Sequence, residues 1–507
     1  MPRCALLALG LALAASVGSV AAAQPGASAT SVLATTASTA TSALPALGDA
    51  AALGLSEERR LGDEIARALY RSPDFLDDPL LHDYLQAIWQ PLMQAAQRRG
   101  EVTPELAERF AWELLLSRER SVNAFALPGG YLGLHLGLLA ISTSADEIAA
   151  VLAHELAHVS QRHVARLIEM REQQTPWVIG AMILGALAAN AARNTDIVSA
   201  AVAGGQAVAL QGQLNFSRDM EREADRVGLA IAHEAGFDGR GFVTLFDKLQ
   251  AAARLNDAGA FPYLRTHPMT AERSADMQAR LYELGPARHS GPVSPHQHAL
   301  MAARARVLSE TGSERLQALA ATLRSPASEP SAQATPEALG RLYAATLAAA
   351  RLRESALALQ GWRQLQALPL ADPAAREALR WLHLETLLLL PPQALDAAQQ
   401  QQLGELMRAA LQSPSRAALL LAAQASLRHG PAEQRLAIGR LQARTSLHPN
   451  DALAWQTLAG LHLAQQQPVR AARAEAEARL AQLDAPGALE RLRAAQQLAR
   501  AGPALED

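Results

Sequence analysis

Trp455, Leu458, Ala459, Ala471 and Ala478 sit where a 34-residue helix–turn–helix repeat would place its packing residues. Moving back by one such period finds Leu421, Ala425 and Ala437, and Pro449 ends the preceding unit. A unit of this kind cannot bury its apolar face alone. It must stack on a neighbour, so this part of the chain is directed toward a helical array, an unrelated helical bundle being the alternative. Composition agrees. Half of the 507 residues are hydrophobic, alanine and leucine dominate, and only 4 % are aromatic, a mix that favours helix over sheet. Beyond residue 298 almost everything reads as alanine- and leucine-rich helix.

The rest of the chain divides by composition. Residues 1–23 read MPRCALLALGLALAASVGSVAAA: one arginine, an apolar run, then small residues before Gln24. This is the pattern of a cleaved secretory signal peptide, with an N-terminal membrane anchor as the alternative. It predicts export to the periplasm. The one cysteine, Cys4, lies inside the signal, so the mature chain would have no disulfide. Residues 24–52 are Ala, Ser, Thr, Pro and Gly with almost no charge and read as a flexible linker. The formal net charge is -3 and no basic run is present, so nothing points to nucleic acid.

From Leu53 onward helical periodicity begins, in LSEERRLGDEIARALY and LLHDYLQAIWQPLMQAAQ. Residues 121–139 (SVNAFALPGGYLGLHLGLL) instead read as a β-hairpin turning at Pro128-Gly129-Gly130. Ser144 and Glu147 form a capping box for the following helix. Residues 177–192 carry no charge. Sixteen residues make about 24 Å of helix against a bilayer core of ~30 Å. The apolar 177–210 segment therefore reads as a flap or a membrane-surface element rather than a transmembrane hairpin. Pro and Gly cluster at 285–295, a domain boundary, and 325–336 is a second irregular loop. The expected layout is a domain at 53–290 followed by a helical repeat domain at 298–507.

The chemistry is concentrated in VLAHELAHVSQRH (151–163). On a helix, His154 and His158 share a face and can converge on one metal, while Glu155 lies about 100° round and can reach a water held there. With fourteen histidines in the chain the motif needs support from a third ligand. NFSRDMEREAD (215–225) offers one. Ser217 would cap a helix running to about Ala235, stopped by Gly236. Glu221 completes a His-His-Glu set, and Asp225, one turn on, can hold a ligand imidazole by its other nitrogen. Glu223 competes for the ligand role but points to another side. His135, His163 and His233 read as structural, His163 lying some 140° round the helix from His158.

VLAHELAHVSQRH, NAFALPGGYLGL and SRDMEREADRVG together resemble the zinc peptidases related to the CAAX prenyl endopeptidases. A signal peptide in place of membrane spans, with a TPR-like C-terminus, narrows the resemblance to the periplasmic branch that serves β-barrel assembly. It implies a mainly α protein: an α+β zincin-type (gluzincin) peptidase domain with a small β-hairpin or sheet, then an α-helical TPR-like solenoid. It implies one Zn2+ per chain on His154, His158 and Glu221, with Glu155 as general base. It also gives Asn123, Ala124, Phe125 and Ala126 a role as the strand that pairs with substrate, a purely structural hairpin being the alternative. Thr266-His267-Pro268 matches a motif of these relatives. His267 is expected to approach the zinc, either as a fourth ligand that silences it or as a transition-state stabiliser; a surface histidine is the bland reading.

The implied reaction is hydrolysis of peptide bonds in unfolded or misassembled outer-membrane proteins. The TPR-like array would bind clients or the β-barrel assembly machinery, with peripheral membrane contact through 177–210. The competing reading is a chaperone or scaffold whose zinc site is silenced or structural.

Overall fold

The structure, a computed structural model, describes residues 53–169, 218–255, 260–285, 291–324 and 334–501. The signal at 1–23, the linker at 24–52, the apolar segment at 177–210 and the Ser217 cap lie outside them. Among the described residues no helix is long and apolar enough to cross a membrane.

The first half comprises α1 (Leu55–Tyr70), β1 (Phe75–Leu76), α2 (Pro79–Arg98), α3 (Pro104–Arg109), β2 (Glu113–Ser117), β3 (Ala124–Leu127), β4 (Tyr131–His135), α4 (Leu136–Ile141), α5 (Ala145–Ser160), α6 (His163–Glu169), α7 (Arg218–Glu234), α8 (Arg240–Leu255), α9 (Pro262–Thr266) and α10 (Ala271–Leu284). The expected hairpin is present. β3 and β4 pair antiparallel with Ala124 opposite Leu134, and β4 pairs parallel with β2. The sheet order is β1-β2-β4-β3, which leaves β3 at an edge. Helix α5 lies against β3 and is buried along its whole length from Ala145 to Ser160, apart from a partly covered Asp146. Ile148, Val151, Leu152, Leu156 and Val159 fill one side, and Ala149, Ala150, Ala153 and Ala157 let neighbours close on the other, so the helix is buried all round.

The helix start differs from expectation in one respect. Ser144 accepts a bond from the Glu147 amide, but Glu147 does not return one to Ser144. Its carboxylate reaches to the Thr143 amide at 2.8 Å instead, because Lys248 holds it from α8 at 2.8 Å. The stop of α7 matches. Gly236 takes φ +91°, its N–H donates to His233 O, and Phe237 N–H donates to Ala232 O, a Schellman closure that favours glycine.

The second half is helical. It contains α11 (Pro295–Leu308), α12 (Ser313–Ala321), α13 (Pro336–Arg351), α14 (Ser355–Gln366), α15 (Pro373–Leu389), α16 (Ala397–Gln412), α17 (Arg416–Ser426), α18 (Pro431–Leu447), α19 (Ala452–Ala464), α20 (Pro468–Ala481) and α21 (Ala485–Ala501). From α16 onward each helix packs on the next in sequence, as in a solenoid. The repeat positions do the packing: Leu421, Ala425, Ala437, Leu458, Ala459, Ala471 and Ala478 are all buried, while Trp455 is half-buried and donates from Nε1 to Pro449 O.

No gap separates the two halves at 290. Helix α11 packs on α4, and α17 on α2. Asp78, which caps α2 by accepting from Leu81 N–H at 2.9 Å, also takes both arms of Arg304 from α11 at 2.6 and 2.7 Å; Arg304 in turn bonds Glu385 at 2.6 Å. Arg416 bridges Asp77 and Asp451 in the same manner.

Burial holds two histidines neutral. His135 is pushed down to about 4 by desolvation, and so is His383, which stacks on Trp362 with ring centroids 4.0 Å apart. In the unfolded chain both take a proton near pH 6.5. Their contribution to stability is therefore complete above that pH and falls as the pH drops toward 4, by about 3 kcal/mol each at most. Urea unfolding at pH 7.5 and 4.5 should show the loss, and His383→Phe should reduce it.

Candidate metal centre

Close contact between α5 and α7 builds the site. A Cβ on Gly228 would lie 3.0 Å from Ala153 O and His154 N, so glycine lets α7 approach the α5 backbone. This brings Glu221 and Asp225 onto the two histidines. His154 Nε2 lies 3.0 Å from His158 Nε2 and 3.4 Å from Glu221 Oε2, and His158 Nε2 is 3.5 Å from Glu221 Oε1. His267, just past α9, enters from the other side. Its Nδ1 is 2.9 Å from Glu221 Oε1 and 3.4 Å from His154 Nε2. One donor atom from each of His154, His158, Glu221 and His267 falls within a 4.8 Å cluster. All four residues are buried. His267 is thus not a surface histidine.

These residues suit zinc. Imidazole nitrogens and carboxylate oxygens are its usual ligands, and donors ~2.0–2.1 Å from a tetrahedral ion lie roughly 3.3 Å apart, close to the spacings seen here. Both oxygens of Glu155 are buried without a hydrogen-bond partner, and His267 Nε2 lies 3.5 Å from one of them. Burial raises the Glu155 carboxyl above its ordinary range.

Supports stand behind each ligand. Asp225 Oδ1 is 3.1 Å from His154 Nδ1, as expected. Burial works against the charged form of His154, but Asp225 and Glu221 override it and hold the group at about 9. His163 was expected to be structural, yet its Nδ1 lies 2.8 Å from His158 Nδ1, and its Nε2 is 3.1 Å from Glu223. The angle extrapolated along α5 does not hold as far as His163. The helix stops at Ser160, Arg162 takes φ +53°, and α6 restarts at His163 with a new direction. Glu223 is accordingly no ligand in the cluster; it holds His163 and Arg166.

Arg273 was not foreseen. From α10 it bonds Asp225 at 2.6 and 2.8 Å, lies 2.8 Å from Glu221 Oε2 and donates to Pro268 O at 2.8 Å. A lone arginine near a helix start reads as solvated, and no sequence signal marked it. Asn123 and Ala124 are buried, and Ala124, Phe125 and Ala126 form the edge strand beside α5.

The sequence profile of peptidase family M48 matches residues 79–281, a span that contains every one of these ligands. Residues 79–281 are thus similar to peptidase family M48. Zinc is the metal of M48 metallopeptidases, and the cluster within this span can hold a metal ion. Known proteins are similar over about half of the chain. The beta-barrel assembly-enhancing protease of Escherichia coli is 31 % identical over 249 residues, 48 % of each chain, and that of Yersinia pestis is 30 % identical over a stretch of equal length. The mitochondrial metalloendopeptidase OMA1 of Arabidopsis thaliana is 35 % identical over 198 residues, 39 % of this chain and 36 % of that one. The chain thus spans about half the length of the curated relatives it matches.

Proposed function

We propose that this chain is a zinc-dependent endopeptidase of the periplasm that cuts unfolded or misassembled outer-membrane proteins. The observation that carries it is the buried cluster of His154, His158, Glu221 and His267 with the Glu155 carboxyl beside it, 3.5 Å from His267 Nε2. The names of the bacterial relatives support the substrate class, and the N-terminal signal pattern supports the compartment.

In this reading His154, His158 and Glu221 hold the ion, and Asp225 fixes His154. A zinc ion there supplies Lewis acidity, acidifying a water and polarising a peptide carbonyl. Glu155 takes the proton of the attacking water and passes it to the leaving amine. The edge strand from Asn123 to Ala126 pairs with an extended substrate. Residues 53–290 are the peptidase domain, and 298–507 form a TPR-like array that receives clients or the assembly machinery.

A second reading rests on His267. Its Nδ1 sits among the three ligand side chains, where a permanently filled fourth position would make the zinc structural and the protein a chaperone or scaffold. Purified wild type and His267→Ala should be compared on an unfolded β-barrel protein, with zinc, after chelation and after zinc is restored. Cleavage should disappear on chelation and return with zinc, and His267→Ala should cut faster if the ring silences the site. Zinc-loaded proteins that bind the client without cutting it would favour the scaffold.

A further inference from the structure

We propose that the Tyr263 hydroxyl is a catalytic hydrogen-bond donor to the oxygen that becomes negative when a peptide carbonyl is attacked in this site. The assignment rests on the peptidase reading above and adds a group that the ligand set and the general base do not include.

Tyr263 is fully buried, yet its hydroxyl has no hydrogen-bond partner. Buried tyrosines ordinarily find one, and an unmet hydroxyl costs about 1–3 kcal/mol. The ring lies 4.7 Å from that of His267, tilted by 33°. Among charged groups, the carboxylates of Glu155 and Glu221 act on the phenol most strongly. The ring thus packs on a residue of the cluster, and its hydroxyl is unpaired. Asn123 Oδ1, one residue beyond Val122, is likewise buried without a hydrogen-bond partner.

The backbone holds Tyr263 rigidly. Its N–H donates to Val122 O at 3.2 Å, Val122 N–H donates to Ala260 O at 2.8 Å, and His267 N–H donates to Tyr263 O at 2.8 Å. Val122 immediately precedes Asn123. One backbone clamp therefore joins the tyrosine to the start of the candidate substrate strand and to the His267 loop. A peptide laid along β3 would place its carbonyls beside this clamp.

The chemistry balances. The water oxygen bonds to the carbonyl carbon, and the water proton passes to Glu155. The former carbonyl oxygen carries the negative charge until the C–N bond breaks, and Glu155 returns the proton to the departing amine. Tyr263 transfers nothing. It keeps its proton at neutral pH and donates a hydrogen bond to that oxygen, strongest when the charge is greatest.

The test is Tyr263→Phe in the full zinc-loaded chain, in the wild-type and His267→Ala backgrounds. The ring is retained in both, and its packing on His267 in the wild-type background. Four quantities are read: kcat and KM on an unfolded β-barrel protein, affinity for a peptide phosphonamidate that mimics the tetrahedral state, zinc content, and Tm. We expect kcat to fall about 10²–10³-fold, the size found for loss of one oxyanion donor, with KM little changed. Phosphonamidate affinity should fall in parallel. Zinc content should stay, and Tm should hold or rise, because an unpaired buried hydroxyl is removed. Unchanged kcat overturns the assignment. So does a kcat loss accompanied by lower Tm and lost zinc, which marks a structural residue. If the parent proteins cut nothing while holding zinc, the peptidase reading falls and this assignment falls with it.

Discussion

Replacing Glu155 by glutamine should leave zinc bound and reduce proteolysis by about 10²–10⁴-fold, the usual worth of a positioned acid–base group. The expectation comes from two separate facts. Glu155 contributes no atom to the ligand cluster, so the ion keeps its four candidate donors. Its carboxyl is fully buried with neither oxygen hydrogen-bonded, so ionising it there is costly and burial raises its pKa. Glutamine has the same shape and no charge, and it cannot accept the proton. The metal-free variant should therefore be at least as stable as the wild type. Zinc content by atomic absorption, Tm and cleavage should be measured on one preparation. Equal cleavage by both proteins would remove Glu155 from the role of base. Loss of zinc would show that it serves the ion.

Arg273→Met should destabilise the metal-free protein by about 3–5 kcal/mol, because it leaves buried carboxylates without their cation. Arg273 is almost completely buried and is shared by Asp225, Glu221 and the carbonyl of Pro268. Methionine restores bulk but none of these bonds. Zinc should recover part of the loss, since it compensates Glu221 and binds the folded state selectively. The loss should thus be largest with chelator present and smaller with zinc, as read by urea unfolding in both conditions. An equal loss in the two conditions would mean that Arg273 does not communicate with the ion. The variant also frees the Pro268 carbonyl, so the His267 loop should become more accessible to hydrogen exchange.

The parts of this site that lie on one helix were legible from spacing. His154, Glu155 and His158 follow from a single 3.6-residue period, and Glu221 with Asp225 from a second. The hairpin was legible because Pro128-Gly129-Gly130 interrupts two apolar runs. His163 was not, because the angle between residues is predictable only while the helix continues, and Arg162 breaks it. Arg273 and Tyr263 were not, because their importance arises from burial against segments distant in the chain, and neither has a local pattern. His267 was found through its motif, not through physics; the structure supplies its burial. The capping box was half right. Ser144 behaves as spacing implies, while Glu147 answers to Lys248, a hundred residues away.

Asp78 has a consequence for how this molecule can evolve or be engineered. It caps α2 and also anchors Arg304 of α11. A cut near residue 290 would strand a buried acid on one fragment and a buried cation on the other, along with the apolar faces of α4 and α11. The array is therefore not a module that can be swapped for another without rebuilding the start of α2. The two halves share a single keystone, so sequence change in one is constrained by the other.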